Sequence, residues 1–316
     1  MAQARGSAAQ IVIDFETTYG SDPVAPAGIL MPFNPPFGLK ADQNMTIPQT
    51  IRGVRDATEP IFGNRDVRGS ISVPVDLIAI GYWLRALLGS PATNQSVAPY
   101  VHIFKPASSI PSLVVDVGHT DITQFLKYNG VKVDSMALDF SGDGEIVAAM
   151  DLIGANVAAS GTAYDATPTS LTFTRLSMPQ VTLEEGGGAL SNAKIINLSI
   201  KNSLDPDSFV IGGGGIRGAL PEGTCTVTGK VTAMFENLTL YNKALNNTES
   251  SLEVIMTSGS YSLSILVPEL KYKLTSPVVQ TQGGVYVELE FSGYYENGAD
   301  AACLKVTLVN THSAYA

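Results

Sequence analysis

Gly144-Glu-Ile-Val-Ala-Ala-Met-Asp-Leu-Ile-Gly154 and Gly283-Gly-Val-Tyr-Val-Glu-Leu-Glu-Phe-Ser-Gly293 share one alternation of apolar and polar residues. Successive side chains of a β-strand point to opposite faces. Ile146, Ala148, Met150 and Leu152 therefore line one face of the first stretch, and Val285, Val287, Leu289 and Phe291 the matching face of the second. Apolar residues recurring at period two fit a half-buried strand and no helix, so these faces read as core. The reverse faces carry Glu145 and Asp151 in the first stretch and Glu288 and Glu290 in the second. Each strand is entered through a glycine turn, Gly142-Asp-Gly144 or Gln282-Gly-Gly284, whose glycines accept the positive φ that hairpins require.

The likeness spreads outward. At an offset of 139, Ser112 to Gly154 lies without gaps on Ser251 to Gly293, and at an offset of 149, Asn44 to Ser70 lies on Ala193 to Ala219. In the latter block Gly63 matches Gly212, Arg68 matches Arg217 and Gly69 matches Gly218. Between the blocks each copy has a strand, Ser70 to Val75 or Thr224 to Gly229, and then a short helical pattern. Ile80, Trp83 and Leu87 fall at i, i+3 and i+7, as do Leu238, Tyr241 and Leu245, so one amphipathic helix per copy is expected to cover one sheet. An internal repeat of this kind predicts two copies of one β fold. The expected organisation is an extended arm at 1–43, a first repeat at 44–155, a linker at 156–192, a second repeat at 193–294 and a tail at 295–316. Pro23, Pro26, Pro32, Pro35 and Pro36 hold the arm extended, and such an arm needs a surface to lie on.

Composition agrees with a folded, mainly β chain: 316 residues, 45% hydrophobic, only 15% charged, with 30 Gly and 18 Pro. A net charge of −10 repels a phosphate backbone, which argues against ordinary nucleic-acid binding. Cys225 and Cys303 stand in different segments with no second pair to form a framework, and read as core or strand thiols in a reducing compartment. No export signal or membrane span is expected, since the longest apolar run, Leu77 to Leu84, is far short of the ~20 residues a bilayer needs.

No catalytic, metal or cofactor site is expected. The three histidines, His102, His119 and His312, are scattered and lack metal spacing. Asp139 to Glu145 reads as a β-turn, because it lacks the alternating ligands of a calcium loop. Gly212 to Gly215 has no following Lys-Ser/Thr to make a phosphate cradle and reads as a loop tip. Arg52, Arg55, Arg65 and Arg68 crowd around one hairpin and read either as a solvated strand edge or as an intersubunit contact, a role in which Arg is favoured.

Glu16-Thr-Thr-Tyr-Gly-Ser-Asp-Pro23, Arg52-Gly-Val-Arg-Asp56, Asp66-Val-Arg-Gly-Ser-Ile-Ser-Val-Pro-Val75 and Ile80-Gly-Tyr-Trp-Leu-Arg-Ala-Leu-Leu-Gly89, in that order, resemble the tail tube (major tail) proteins of siphophages. The resemblance implies two tandem β-sandwich or partial-barrel repeats, each with one short flanking helix, that join sheets between subunits into a tube. Family rings usually have six such domains, so a duplicated chain implies a homotrimer with pseudo-sixfold symmetry. With four strands per domain, about 24 strands at ~4.8 Å spacing and ~40° tilt close a wall roughly 45–50 Å across. Implied partners are further copies of the chain, a tape-measure protein, tail terminator and distal tail proteins, and double-stranded DNA passing without specific binding; no membrane is involved. The implied setting is the virion tail, assembled in the bacterial host cytoplasm. Asp151, Glu288 and Glu290 are then candidates to face the lumen, where carboxylates repel phosphates; the alternative is that they face solvent outside. The arm and the loops around Arg52 to Arg68 are candidates for ring-to-ring contacts. Other readings are a terminator or distal tail protein of the same fold, and a carbohydrate-binding β-sandwich, which needs an aromatic cleft that the single Trp83, on a helix stripe, does not suggest.

Overall fold

A computed structural model describes residues 3–315 of the chain. In the first half, β1 (Ala9–Phe15), β2 (Ile29–Met31), β3 (Lys40–Thr46) and β4 (Ile61–Pro74) precede helix α1 (Ile80–Leu88). Then come β5 (Ala92–Asn94), β6 (Tyr100–Phe104), β7 (Leu113–His119), β8 (Gln124–Phe140), β9 (Val147–Gly154) and β10 (Asn156–Ser160). A connecting stretch holds β11 (Thr169–Ser170), β12 (Val181–Glu185) and β13 (Gly188–Ala189). The second half runs β14 (Ala193–Lys201), β15 (Thr226–Met234), helix α2 (Thr239–Leu245), β16 (Ser250–Ser258), β17 (Tyr261–Tyr272), β18 (Tyr286–Gly293) and β19 (Lys305–Asn310). The chain is mainly β, as its composition suggested.

One long strand in each half serves two sheets. β8 pairs first with β7 and β10, then bends and pairs with β9 and β14. Gly130 sits at the bend with φ +64°, where a Cβ would fall 2.8 Å from that of Ala155, so only glycine takes this corner without strain. β17 pairs in the same way with β16 and β19 and then with β18. The pairing order recurs beyond the sequence blocks. β1 lies antiparallel on β7 with Ile13 opposite Val115, and β12 lies antiparallel on β16 with Leu183 opposite Val254. Strand β1 of the expected arm thus finds a surface within its own chain: Ile11, Val12 and Ile13 are fully buried.

Strand register also corrects the ungapped comparison. Val67, Gly69 and Ile71 oppose Gly154, Leu152 and Met150, while Val227, Gly229 and Val231 oppose Gly293, Phe291 and Leu289. Gly69 therefore corresponds to Gly229 and not to Gly218. The long loop at 202–225 precedes β15, and an alignment without gaps runs through it. Both true counterparts are glycine because backbone crosses there: a Cβ on Gly69 would lie 2.1 Å from the Gly38 carbonyl oxygen, and one on Gly229 would lie 2.3 Å from that of Asn197.

Helix α1 behaves as its stripe predicts. Ile80, Trp83 and Leu87 are buried, and the Asp76 carboxylate accepts the Ile80 N–H at 2.9 Å, satisfying an amide of the first turn. Burial of Trp83 removes the aromatic cleft a glycan-binding reading needs. Helix α2 departs from expectation: it buries Leu240 and Ala244, whereas Leu238 and Leu245 are exposed. It is only seven residues long and Leu238 is its cap, so the i, i+3, i+7 stripe does not lie along one regular helix. The C-terminal tail closes over α1, with the Tyr315 ring edge-on to Tyr82 and its hydroxyl donating to the Ile78 carbonyl at 2.9 Å. His102 and His312, distant in sequence, meet there: His102 Nε2 donates to the His312 carbonyl at 2.8 Å.

The two halves share one sheet. Hydrogen-bonded neighbours run β3, β4, β9, β8, β14, β15, β18, β17. One face of it is core: Ile71, Met150, Met136, Ile200, Val227 and Leu270 are all at most 1% exposed. Each such side chain contributes about 1.5–3 kcal/mol by leaving water.

Candidate functional site

The reverse face of this eight-strand sheet carries exposed residues on each of its strands. Residues directly opposite in antiparallel pairs share a face, so the register lays out its rows. Ser70, Asp151, Ser135 and Lys201 form one row. Ser72, Ala149, Ala137, Ser199 and Thr228 form the next. Asp139, Asn197, Lys230 and Glu290 form a third, and Glu288 sits opposite Thr232 beyond it. Side chains are short, and hydroxyls and methyls predominate between the charges.

Asp151, Glu288 and Glu290, expected on the face opposite the core, are all there and exposed. The register adds Asp139, which the sequence reading assigned to a turn. It also adds Lys201, Lys230, Lys271 and Lys273, so four carboxylates meet four ammonium groups. Lys230 Nζ lies 3.0 Å from Glu288 Oε2 and Lys273 Nζ 2.8 Å from Glu290 Oε2, while Ser135 Oγ donates to Asp151 at 2.8 Å. The hydrogen bond from Lys273 holds the Glu290 carboxyl below the usual carboxylate range. An acidic wall, expected from net charge, is not what this face carries; the lysines come from β14, β15 and the end of β17, which hold no counterpart of the acids in the sequence pattern. The chain's excess negative charge lies elsewhere.

The sheet ends in one edge strand, β3, and in a continuation of β17 that is not a strand. β14 hydrogen-bonds along the outer edge of β8, from Ile196 opposite Phe140 to Lys201 opposite Ser135. In the second half the corresponding stretch is 274–279, just past β17; it has no strand structure of its own, contains Pro277, pairs with no strand among the described residues and exposes Leu274, Val278 and Val279. At the far end, β3 pairs with β4 alone among the described residues. An open edge strand such as β3 is a template for a further strand.

Beyond the sheet, β3 and β4 run on together as a ribbon from Lys40 opposite Arg68 to Thr46 opposite Ile61. Met45, Ile47, Ile51, Val54, Ile61 and Phe62 are exposed on it and on its loop. The four arginines part company here. Arg65 donates to Asn156 at 3.0 Å and Arg68 to Asp66 at 2.8 Å, both within the chain, whereas Arg52 and Arg55 stand exposed on the loop. Arg217, which the sequence comparison matched to Arg68 without giving it a role, is the fifth arginine of this region. Carried by the 202–225 loop of the second half, it is fully buried at the ribbon's base in the first half. Its guanidinium binds Asp66, donates to the carbonyls of Gly154 at 2.7 Å and Pro206 at 2.5 Å, and lies 4.9 Å from the Phe209 ring centroid.

The fold thus combines a mainly β framework, a sheet face of short polar side chains and a projecting ribbon. The model of the phage tail tube protein family matches residues 6–293, and the chain belongs to that family. It is a structural protein of the phage virion tail. No curated protein matches the chain.

Proposed function

We propose that three chains close into a ring, that rings stack into the tail tube, and that the polar sheet face lines the channel through which DNA leaves. The observation that carries this reading is the β8–β14 junction, in which the first strand of one half completes the sheet edge of the other. The same junction made between chains joins 274–279 of one to 37–42 of the next. Eight strands per chain then give about 24 around the ring, a wall roughly 45–50 Å across that admits duplex DNA. In this reading the two repeats, enlarged by β1 and β12, are equivalent sectors. Arg52, Arg55 and the ribbon tip reach the adjacent ring, while Arg65 and Arg68 brace the ribbon's base. The tube forms around a tape-measure protein in the host cytoplasm and is finished by terminator and distal tail proteins.

The lumen works by having little for DNA to hold. Phosphate affinity grows with each ammonium group free to replace a counterion; here Lys230 and Lys273 are already engaged by Glu288 and Glu290, and the carboxylates of Asp139 and Asp151 on the same face offset Lys201 and Lys271, unpaired among the described residues.

Negative-stain microscopy of purified protein tests the junction. The unaltered chain gives rings or tubes with a central hole. Val279→Pro removes a ladder donor from the open edge and leaves dispersed particles with unchanged circular dichroism. Tubes from this variant indistinguishable from the original remove the junction as the basis of assembly.

A further inference from the structure

Strand register extends the repeat to a stretch outside both expected copies. With Ile13 opposite Val115 and Leu183 opposite Val254, residues 5–14 correspond to residues 175–184. Arg5-Gly-Ser-Ala-Ala-Gln-Ile-Val-Ile-Asp14 then meets Arg175-Leu-Ser-Met-Pro-Gln-Val-Thr-Leu-Glu184, with Arg5, Ser7 and Gln10 identical to Arg175, Ser177 and Gln180. In the first half the later stretch fills a slot between the end of β4 and the start of β9. Leu176 is fully buried there; its N–H donates to the Val75 carbonyl at 3.3 Å and its carbonyl accepts the Ile146 N–H at 3.2 Å. Arg175 lies opposite Asp76, and Ser177 lies opposite Glu145, whose carboxylate is 3.2 Å from the Arg175 guanidinium. The second half carries the same slot. The Val75 N–H donates to the Ile146 carbonyl at 2.8 Å and the Phe235 N–H to the Val285 carbonyl at 3.0 Å, so Phe235 and Val285 stand where Val75 and Ile146 do. Yet the Phe235 carbonyl and the Val285 N–H meet no partner among the described residues, and Glu236, the counterpart of buried Asp76, is exposed.

We infer that Arg5-Gly6-Ser7 of a second copy of the chain docks in this slot of the second half. The inference rests on the ring reading: where halves repeat around a ring, the second half of one chain meets the first half of the next as the two halves of one chain meet each other. The contact is carried by the main chain. The Gly6 N–H, unpartnered among the described residues, donates to the Phe235 carbonyl. The Gly6 carbonyl already accepts the Ala9 N–H and has a second lone pair for the Val285 N–H. Two backbone groups that the free chain leaves unpaired are thereby satisfied. Gly6 replaces Leu176 while Phe235 replaces Val75, so bulk passes from the incoming strand to the receiving wall. Arg5, its side chain 76% exposed beside Asp121, then lies opposite Glu236. Glu236 is free for that pairing because Asn237 Oδ1, not the Glu236 carboxylate, accepts the Thr239 N–H at the start of α2.

Ser7→Cys combined with Gly284→Cys puts two thiols at positions that oppose each other across the slot, as Ser177 opposes Glu145 in the first half. Residues directly opposite in an antiparallel pair are close enough for a disulfide. The full-length double variant is assembled, oxidised and run on a gel without reductant, and linked peptides are mapped by mass spectrometry. Most of the chain is expected in linked trimers whose bridge joins position 7 of one chain to position 284 of another; either substitution alone gives no such bridge. Rings or tubes that lack this link, or that carry it only within single chains, overturn the inference and leave the trimeric ring standing. Linked products of more than three chains keep the contact and remove the trimer. A chain that never associates removes both.

Discussion

A buried guanidinium is tolerated only where acceptors replace the water it has lost. Arg217 meets that requirement with Asp66 and with backbone carbonyls drawn from both halves, including Gly154 from the first and Pro206 from its own loop. Arg217→Ala strips those acceptors of their donors and releases the 202–225 loop. The expected cost is about 3–5 kcal/mol, read as a lowered urea midpoint with a small change in slope. Arg217→Lys recovers only part of it, since one ammonium group cannot span acceptors arranged for a fork. An alanine variant as stable as the original refutes the clamp. The sequence marked this residue only as the match of Arg68 and carried no sign of its role. Its acceptors are mostly main-chain carbonyls, which carry no residue code, and its one acidic partner lies 151 positions away. Asp139 escaped for a related reason: Gly142 and Gly144 drew the reading toward a turn, while the ladder to Asn197 that makes Asp139 part of a strand depends on a partner from the other half.

At the scale of elements, what was legible followed from local periodicity. The alternation in 144–154 and 283–293 predicts which faces of β9 and β18 are core, and the stripe over Ile80, Trp83 and Leu87 predicts the buried side of α1. Pairing partners and loop lengths were not legible, because they are settled by contacts between distant segments. Hence β1 and β12 fell outside the expected repeats and Gly69 was matched to the wrong glycine. The β3–β4 ribbon shows what such elements need. An isolated two-stranded ribbon is marginal in water, and this one exposes Ile51 almost completely and Phe62 by 64%. In the proposed stack, a contact with the adjacent ring supplies the missing burial. Replacing 48–59 by an Asn-Gly turn, which suits a tight hairpin, leaves the sheet and its open edges intact. Rings are then expected without long tubes by electron microscopy, and long tubes from this variant exclude the ribbon from stacking.

For the whole molecule, the distribution of charge matters more than its sum. A net charge of −10 suggested a channel that repels DNA, yet the face assigned to the channel balances four acids with four lysines. Repulsion and indifference differ in what they predict. A strongly acidic wall tolerates several added lysines before it attracts a phosphate backbone, whereas a balanced wall has no such reserve. Asp151→Lys, Glu288→Lys and Glu290→Lys together remove the partners of Lys230 and Lys273 and add three ammonium groups per chain. Around a trimeric ring that is a dense cationic belt, and each phosphate it engages steepens the salt dependence of binding. Assembled tubes of the triple variant are therefore expected to retain duplex DNA at low salt and to release it steeply as salt rises, with DNA delivery from particles slowed at low ionic strength. The unaltered tube retains none across the same range. Unchanged retention and delivery in the triple variant would place this face outside the channel, because no surface in continuous contact with DNA can gain that much positive charge without a response.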